Sequence, residues 1–184
     1  MRKLLFSLSI WIAISMSLKA QMVALKPGQI LSNISLKSTN GIQYDLNAQK
    51  AAKGFIVVFM TPSCDHCWAY KKRIIALDKK YKTKGFPVVA IGPYGDYPEQ
   101  YPKDALPEMK KIAIKEAYTF PYLSDSKFKY TTLLGVQTTP TTIILQKKAN
   151  GYLIVYKGEI DDEMDVKKLP KRKFVEEQLN KIVK

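Results

Sequence analysis

The chain has 184 residues, enough for one domain with a substantial core, and its 30 Lys and Arg against 16 Asp and Glu give a formal net charge of +14. The excess is almost all lysine and is spread along the chain, not gathered with arginines and stacking aromatics, so it reads as a solvated basic surface and argues against nucleic-acid binding. Two cysteines in a C-x-x-C are too few, and close too small a loop, to be a disulfide scaffold.

In chain order, the opening "MRKLLFSLSIWIAISMSLKAQ" has a basic pair, Arg2 and Lys3, then an apolar stretch from Leu4 to Leu18, then Ala20 as a cleavage position. This pattern predicts a secretory signal peptide over residues 1–20 and a single mature domain over 21–184, exported to a periplasm or secreted. The apolar span, about 15 residues, is shorter than the roughly 20 that a transmembrane helix needs. An uncleaved anchor is the lesser alternative, and no stable membrane insertion is expected after cleavage.

Two short alternating runs in "ILSNISLKSTNGIQYDL" flank Asn40-Gly41 and predict a β-hairpin. "GFIVVFM", Gly54 to Met60, reads as a strand buried on both faces. Cys67, Tyr70, Ile74, Leu77 and Tyr81 then recur every three or four residues, the apolar stripe of a helix that Gly85 stops. "FPVVAIG" is a second buried strand, followed by a Pro- and Tyr-rich loop long enough to cover something. A helix is expected from Pro107 to Ala117, an extended piece in "TFPYLSD", and a further helix from Lys127 to Leu134 capped by Asp125 or Ser126. "TTIILQK" and "YLIVYKG" form a second hairpin, and "LPKRKFVEEQLNKIV" a closing helix. The order gives an α/β three-layer fold: a mixed central β-sheet with helices on both faces and an added N-terminal hairpin.

Every cysteine and the one histidine lie in "TPSCDHCWAY". A C-x-x-C directly after a buried strand puts Cys64 at a helix N-terminus, where free amides and the helix dipole favour a thiolate. Cys67, one turn on, faces inward and can attack a mixed disulfide on Cys64. His66 between them can stabilise the Cys64 thiolate, which shifts the pair toward oxidising power; Asp65 acts in the opposite sense. Structural zinc needs four ligands where two Cys and one His are offered, so no metal is expected. Haem attachment needs C-x-x-C-H, and Trp68 stands where that histidine would be. Thr139-Pro140 precedes a strand; in the cis form it would lie against the cysteine pair and expose backbone to a substrate peptide, while base rates alone favour trans.

"VVFMTPSCDHC" with its helix, and "TTPTTIIL" before a hairpin, resemble the thioredoxin-like superfamily over Pro27 to Lys184. The N-terminal hairpin and signal look like the exported TlpA/ResA type, and the stretch from Ala90 to Asp125 like the redoxin branch related to peroxiredoxins, the AhpC/TSA grouping. The resemblance implies that Cys64 is the nucleophile, Cys67 the resolving thiol and Pro140 a cis-proline, with Thr139 and Trp68 contacting substrate. It also implies no cofactor, protein thiols or disulfides as substrates, and a second redox protein that resets the pair. Departures are Ser63 in the place of a tryptophan, and Val58 and Tyr70 where many members carry a buried carboxylate. That leaves Asp96 and Glu99 as candidate proton acceptors for Cys67. Against the peroxiredoxin pattern, Thr61 stands at the threonine place but Val57 at the proline place, and Arg73 is the candidate for the arginine. The expected function is an exported thiol-disulfide oxidoreductase. The alternatives are a thiol peroxidase using Cys64 and, below it, a non-catalytic peptide-binding module.

Overall fold

The computed structural model describes residues 23–165 and 167–183; the signal segment expected over residues 1–20 lies outside them. Eight strands form one sheet: β1 (Ile30–Leu31), β2 (Ser35–Ser38), β3 (Gln43–Asp45), β4 (Gly54–Phe59), β5 (Val88–Gly92), β6 (Tyr122–Ser124), β7 (Thr141–Lys148) and β8 (Gly151–Gly158). Their spatial order is β1-β8-β7-β4-β5-β6-β2-β3. β4, β5 and β6 run parallel, while β7 lies antiparallel to β4 and every pairing further out is antiparallel. Among the described residues four α-helices complete the fold: α1 (Asp65–Lys82), α2 (Leu106–Lys115), α3 (Lys129–Leu133) and α4 (Phe174–Ile182).

The continuous apolar run of β4 serves two cores at once. Ile56, Val58 and Met60 point into a core closed by α1, α2 and α4, and Phe55, Val57 and Phe59 into one closed by α3 and the N-terminal segment. This period-two division explains why no polar residue interrupts the strand. Each fully buried large side chain on that strand contributes about 1.5–3 kcal/mol relative to an exposed one. Gly54 is obligatory where β4 meets β7. A Cβ there would collide with the backbone carbonyl oxygen of Leu145 and with the Phe86 ring. On α1 the stripe Cys67, Tyr70, Ile74, Leu77 and Tyr81 is buried, as its spacing predicts. The same helix also buries Asp78, whose carboxylate accepts from the Val88 amide at 2.9 Å and the Thr119 hydroxyl at 2.6 Å and so ties α1 to β5.

Three expectations shift. The run "ILSNIS" is not one hairpin arm: Ile30–Leu31 pairs with β8 at one edge of the sheet, and the β2–β3 hairpin sits at the other edge, on β6. The helix expected from Lys127 starts at Lys129, because the buried Asp125 carboxylate accepts from the Tyr130 and Thr131 amides (3.0 and 2.7 Å) and the Thr131 hydroxyl (2.6 Å). Lys127 and Phe128 before it adopt left-handed backbone, which aims Phe128 at the Tyr97 ring, 4.7 Å away and stacked. The closing helix begins at Phe174, because Arg172 exchanges backbone contacts with Asp162: its amide donates to the Asp162 carboxylate (2.9 Å), and its carbonyl accepts from the Asp162 amide (3.2 Å). The Pro- and Tyr-rich loop does cover something. Gly95 sits against Ser124 and Met109 with no room for a Cβ, and Tyr94 stacks on Tyr101 at 4.1 Å.

Candidate active site

β4 ends at Phe59, and the loop Thr61-Pro62-Ser63 delivers the chain to α1. Cys64 is the residue that caps α1, with extended backbone, and its Sγ accepts a hydrogen bond from the Cys67 amide at 3.1 Å. The sulfur thus occupies the position where unpaired amides and the helix dipole stabilise negative charge. Cys64 is half-buried; Cys67, 2% exposed, is set in the core beside Met60 and Tyr70. Their Cα atoms are 5.2 Å apart and the two sulfurs are joined as a disulfide. One cysteine is therefore partly exposed and the other is buried behind it.

Sheet register places the second half of the site. Phe59 pairs with Thr141, so the residues just before β7 must lie over the start of α1. The Thr139-Pro140 bond is cis, and the Thr139 carbonyl oxygen lies 3.3 Å from Cys64 Sγ, close enough to accept from the free thiol. This loop floors a groove of about 520 Å³ whose other residues include the exposed His66, Tyr70, Ile160, Asp162 and Met164. Ligands commonly bind beyond the carboxyl ends of parallel strands in such α/β sheets.

Trp68 faces elsewhere. Its Nε1 donates to the Pro62 carbonyl at 2.9 Å, and Lys71 Nζ sits 4.1 Å from its ring centroid while pairing with Glu116 at 2.8 Å. It lines a second depression with Pro62, Ser63, Lys103 and Lys115, so Thr139 and Trp68 flank the cysteines on different grooves. Asp104 carries no sequence signal and proves central. Its carboxylate, in a residue 8% exposed, accepts from the Ser63 amide and the Ser63 hydroxyl, each at 2.8 Å. The residue before Cys64 is thereby anchored to the Pro- and Tyr-rich loop.

Of the expected proton acceptors for Cys67, Asp96 accepts from the Ser124 hydroxyl at 2.6 Å, and Glu99 is exposed on the loop. The small depression at Cys67 is lined by Lys71, Tyr118 and Tyr122 among others, and by no carboxylate. Burial, reinforced by Glu116, pushes the Tyr118 phenol up to about 12, and burial holds the Tyr122 phenol well above its ordinary value, so both are neutral phenols there, not bases. Arg73 is engaged with Asp161 and with backbone carbonyls of the segment after β8. Among the described residues no group of three or more His, Cys, Asp or Glu could hold a metal ion, and no helix is long and apolar enough to cross a membrane.

Among solved structures the protein is similar to an uncharacterized conserved protein from Geobacillus kaustophilus, with TM-score 0.67 and 27% identity over 75% of this chain and 71% of that one. It is similar to the thioredoxin domain of a thiol-disulfide oxidoreductase from Bacteroides vulgatus, with TM-score 0.60 and 17% identity over 88% of this chain and 100% of that one. It is similar as well to the peroxidoxin BcpB from Mycobacterium tuberculosis, with TM-score 0.63 and 15% identity over 85% of this chain and 95% of that one. The last two likenesses are of fold, which is thioredoxin-like. No curated protein sequence matches the chain. Residues 27–154 match the AhpC/TSA family, and the chain belongs to that family.

Proposed function

We propose that the protein is an exported thiol-disulfide oxidoreductase that exchanges disulfides with protein thiols through Cys64 and Cys67. The observation that carries this reading is the half-buried Cys64 sulfur at the α1 N-terminus, beside the Thr139 carbonyl, with Cys67 buried behind it. In the reducing direction the Cys64 thiolate attacks a substrate disulfide. A Cys64–substrate bond forms, the substrate S–S bond breaks, and one substrate thiolate leaves. The Cys67 thiolate then attacks Cys64 Sγ, the Cys64–Cys67 bond forms, and the second substrate thiolate leaves and takes up a proton. Two electrons pass from the protein to the substrate, and the reverse sequence oxidises a substrate dithiol. A redox partner restores the starting form. His66, exposed in the first turn of α1, adds a donor near the thiolate, and Pro140 and Thr139 present backbone to the substrate strand.

The peroxidase reading has weaker support, because the arginine it would use is engaged with the segment after β8. The test is reduction of a protein disulfide such as insulin in the presence of dithiothreitol. The protein should accelerate the reaction over dithiothreitol alone, and Cys64→Ser should abolish the acceleration. Acceleration that survives Cys64→Ser, or none in the native chain, rejects the proposal. For export, fractionation of cells producing the full chain should give a product lacking residues 1–20 outside the cytoplasm; an intact cytoplasmic chain rejects it.

A further inference from the structure

Between β8, which ends at Gly158, and α4, which begins at Phe174, the described residues form no strand or α-helix. Yet part of this stretch, Glu159 to Asp162 and Met164, forms one wall of the groove at Thr139-Pro140. A segment with no ladder of its own must be held by other groups. Arg172 holds Asp162, the Val175 amide donates to the Ile160 carbonyl at 3.2 Å, and one side chain of α1 gathers the residues between and after them. The Arg73 guanidinium, from α1, donates to the Asp161 carboxylate at 2.8 Å and to the carbonyls of Glu163, Asp165 (3.2 Å) and Lys168 (3.3 Å). Its Cζ sits 5.2 Å from the Tyr70 ring centroid, and the Tyr70 hydroxyl donates to the Asp161 carbonyl at 3.3 Å. A planar fork with five fixed donors is suited to gathering a carboxylate and several carbonyls at once; a lysine ammonium is not.

Asp161 is 3% exposed, so its carboxylate relies on that guanidinium; the other hydrogen bond to it comes from the Glu163 amide, at 3.0 Å. Removing the cation would leave a buried charge short of a partner and the Glu163 and Lys168 carbonyls without this donor, while the Asp165 carbonyl would keep the Lys168 amide (3.0 Å), and the stretch would loosen. Cys64 itself would stay in place, because its position depends on Ser63, the α1 N-terminus and β7.

We infer that Arg73 is a positioning residue for macromolecular substrates: through the stretch from Asp161 to Asp165 it sets the wall against which a substrate strand lies as its sulfur reaches Cys64. This rests on the proposed thiol-disulfide exchange. A small disulfide needs only the accessible Cys64 sulfur, whereas a protein disulfide must seat backbone between the Thr139-Pro140 loop and that wall.

The test compares the native protein, Arg73→Met and Arg73→Lys on 2-hydroxyethyl disulfide and on insulin. Arg73→Met should keep its rate on the small disulfide within about twofold and lose about tenfold in kcat/KM on insulin, mostly through KM. Arg73→Lys, able to pair with Asp161 but not to span three carbonyls, should recover part of the loss. Amide exchange over 161–165 should rise in Arg73→Met, while the amides of β4 remain protected. Parallel losses on both substrates, or no loss on insulin, overturn the inference while leaving the exchange activity standing. A native protein inactive on both substrates removes the exchange reading itself. If Arg73→Met does not fold, Arg73→Lys decides alone: a loss confined to insulin supports the inference, and equal rates on both substrates overturn it.

Discussion

The Asp104–Ser63 clamp makes the sharpest quantitative claim. Asp104→Ala removes the acceptor of two bonds, from the Ser63 amide and hydroxyl, both at 2.8 Å. Hydrogen bonds to charged groups are worth about 1.5–3 kcal/mol each when buried. Ser63 is exposed, so water can replace the carboxylate at both donors, and the pair together should contribute about 2–3 kcal/mol. For a chain of this size each kcal/mol lowers Tm by about 2–4 °C, giving a fall of roughly 4–12 °C. Ser63→Ala removes only the hydroxyl bond and should cost about 1 kcal/mol. The amide bond is lost in every Asp104→Ala background, so a double-mutant cycle isolates the hydroxyl–carboxylate term, expected at about 1 kcal/mol. Urea unfolding of the four proteins measures it. Additivity to within about 0.3 kcal/mol would refute the view that Asp104 holds the residue before Cys64 through that hydroxyl.

Further outcomes follow from the same geometry. On the proposed role of His66 as a thiolate stabiliser, His66→Ala should make the Cys64–Cys67 potential more negative, by on the order of 10–30 mV in a glutathione titration; an unchanged or less negative value counts against that role. Gly54→Ala should destabilise by about 2–3 kcal/mol, since the new methyl meets the Leu145 backbone; a neutral result would mean that β4 and β7 can part without cost. At low pH, burial opposes ionisation of Glu176, but the hydrogen bond and charge of Lys80, with Lys173, outweigh it and hold the carboxyl below its ordinary value of 4.5. That stabilisation is present above 4.5 and is lost as pH falls through the lowered value, so Glu176→Gln should flatten the acid limb of a stability–pH profile; an unchanged limb would contradict the ion pair. At high pH, burial first, then Asp78 and Tyr152, raise Tyr44 to about 12, and burial with Glu116 raises Tyr118 likewise. Their contribution is full below pH 10 and lost as pH rises toward 12, so stability should decline over that interval, and Tyr118→Phe should reduce the decline.

What could be read from the sequence was local. β4, the apolar stripe of α1 and the turn at Asn40-Gly41 declare themselves by period and turn chemistry, and each stands where expected. The cysteines fall on the helix start because the strand, the loop and the stripe fix that start within a residue or two. The sheet edges were less legible, since Ile30–Leu31 and Ser35–Ser38 lie four residues apart in the chain and at opposite ends of the sheet. Side chains that act across the fold left no trace. Asp104 reaches Ser63 over 41 residues and Arg73 reaches Asp161 over 88, and no spacing rule encodes such pairs. Asp125 was expected as a cap, but its fully buried carboxylate binds further along the chain, and the helix yields two residues as a result. Trp68 is fixed by the Pro62 carbonyl and by the lysines around it, and that contact depends on where α2 docks.

The central claim is a division of labour between two sulfurs, and trapping measures it most directly. Reduced Cys67→Ser and Cys64→Ser are each mixed with a protein disulfide, quenched with acid, and mapped by mass spectrometry. The account requires a covalent adduct on Cys64 that accumulates in Cys67→Ser, with Cys64→Ser forming none at a comparable rate. Equal adducts on both variants, or an adduct formed faster on Cys67, would contradict it.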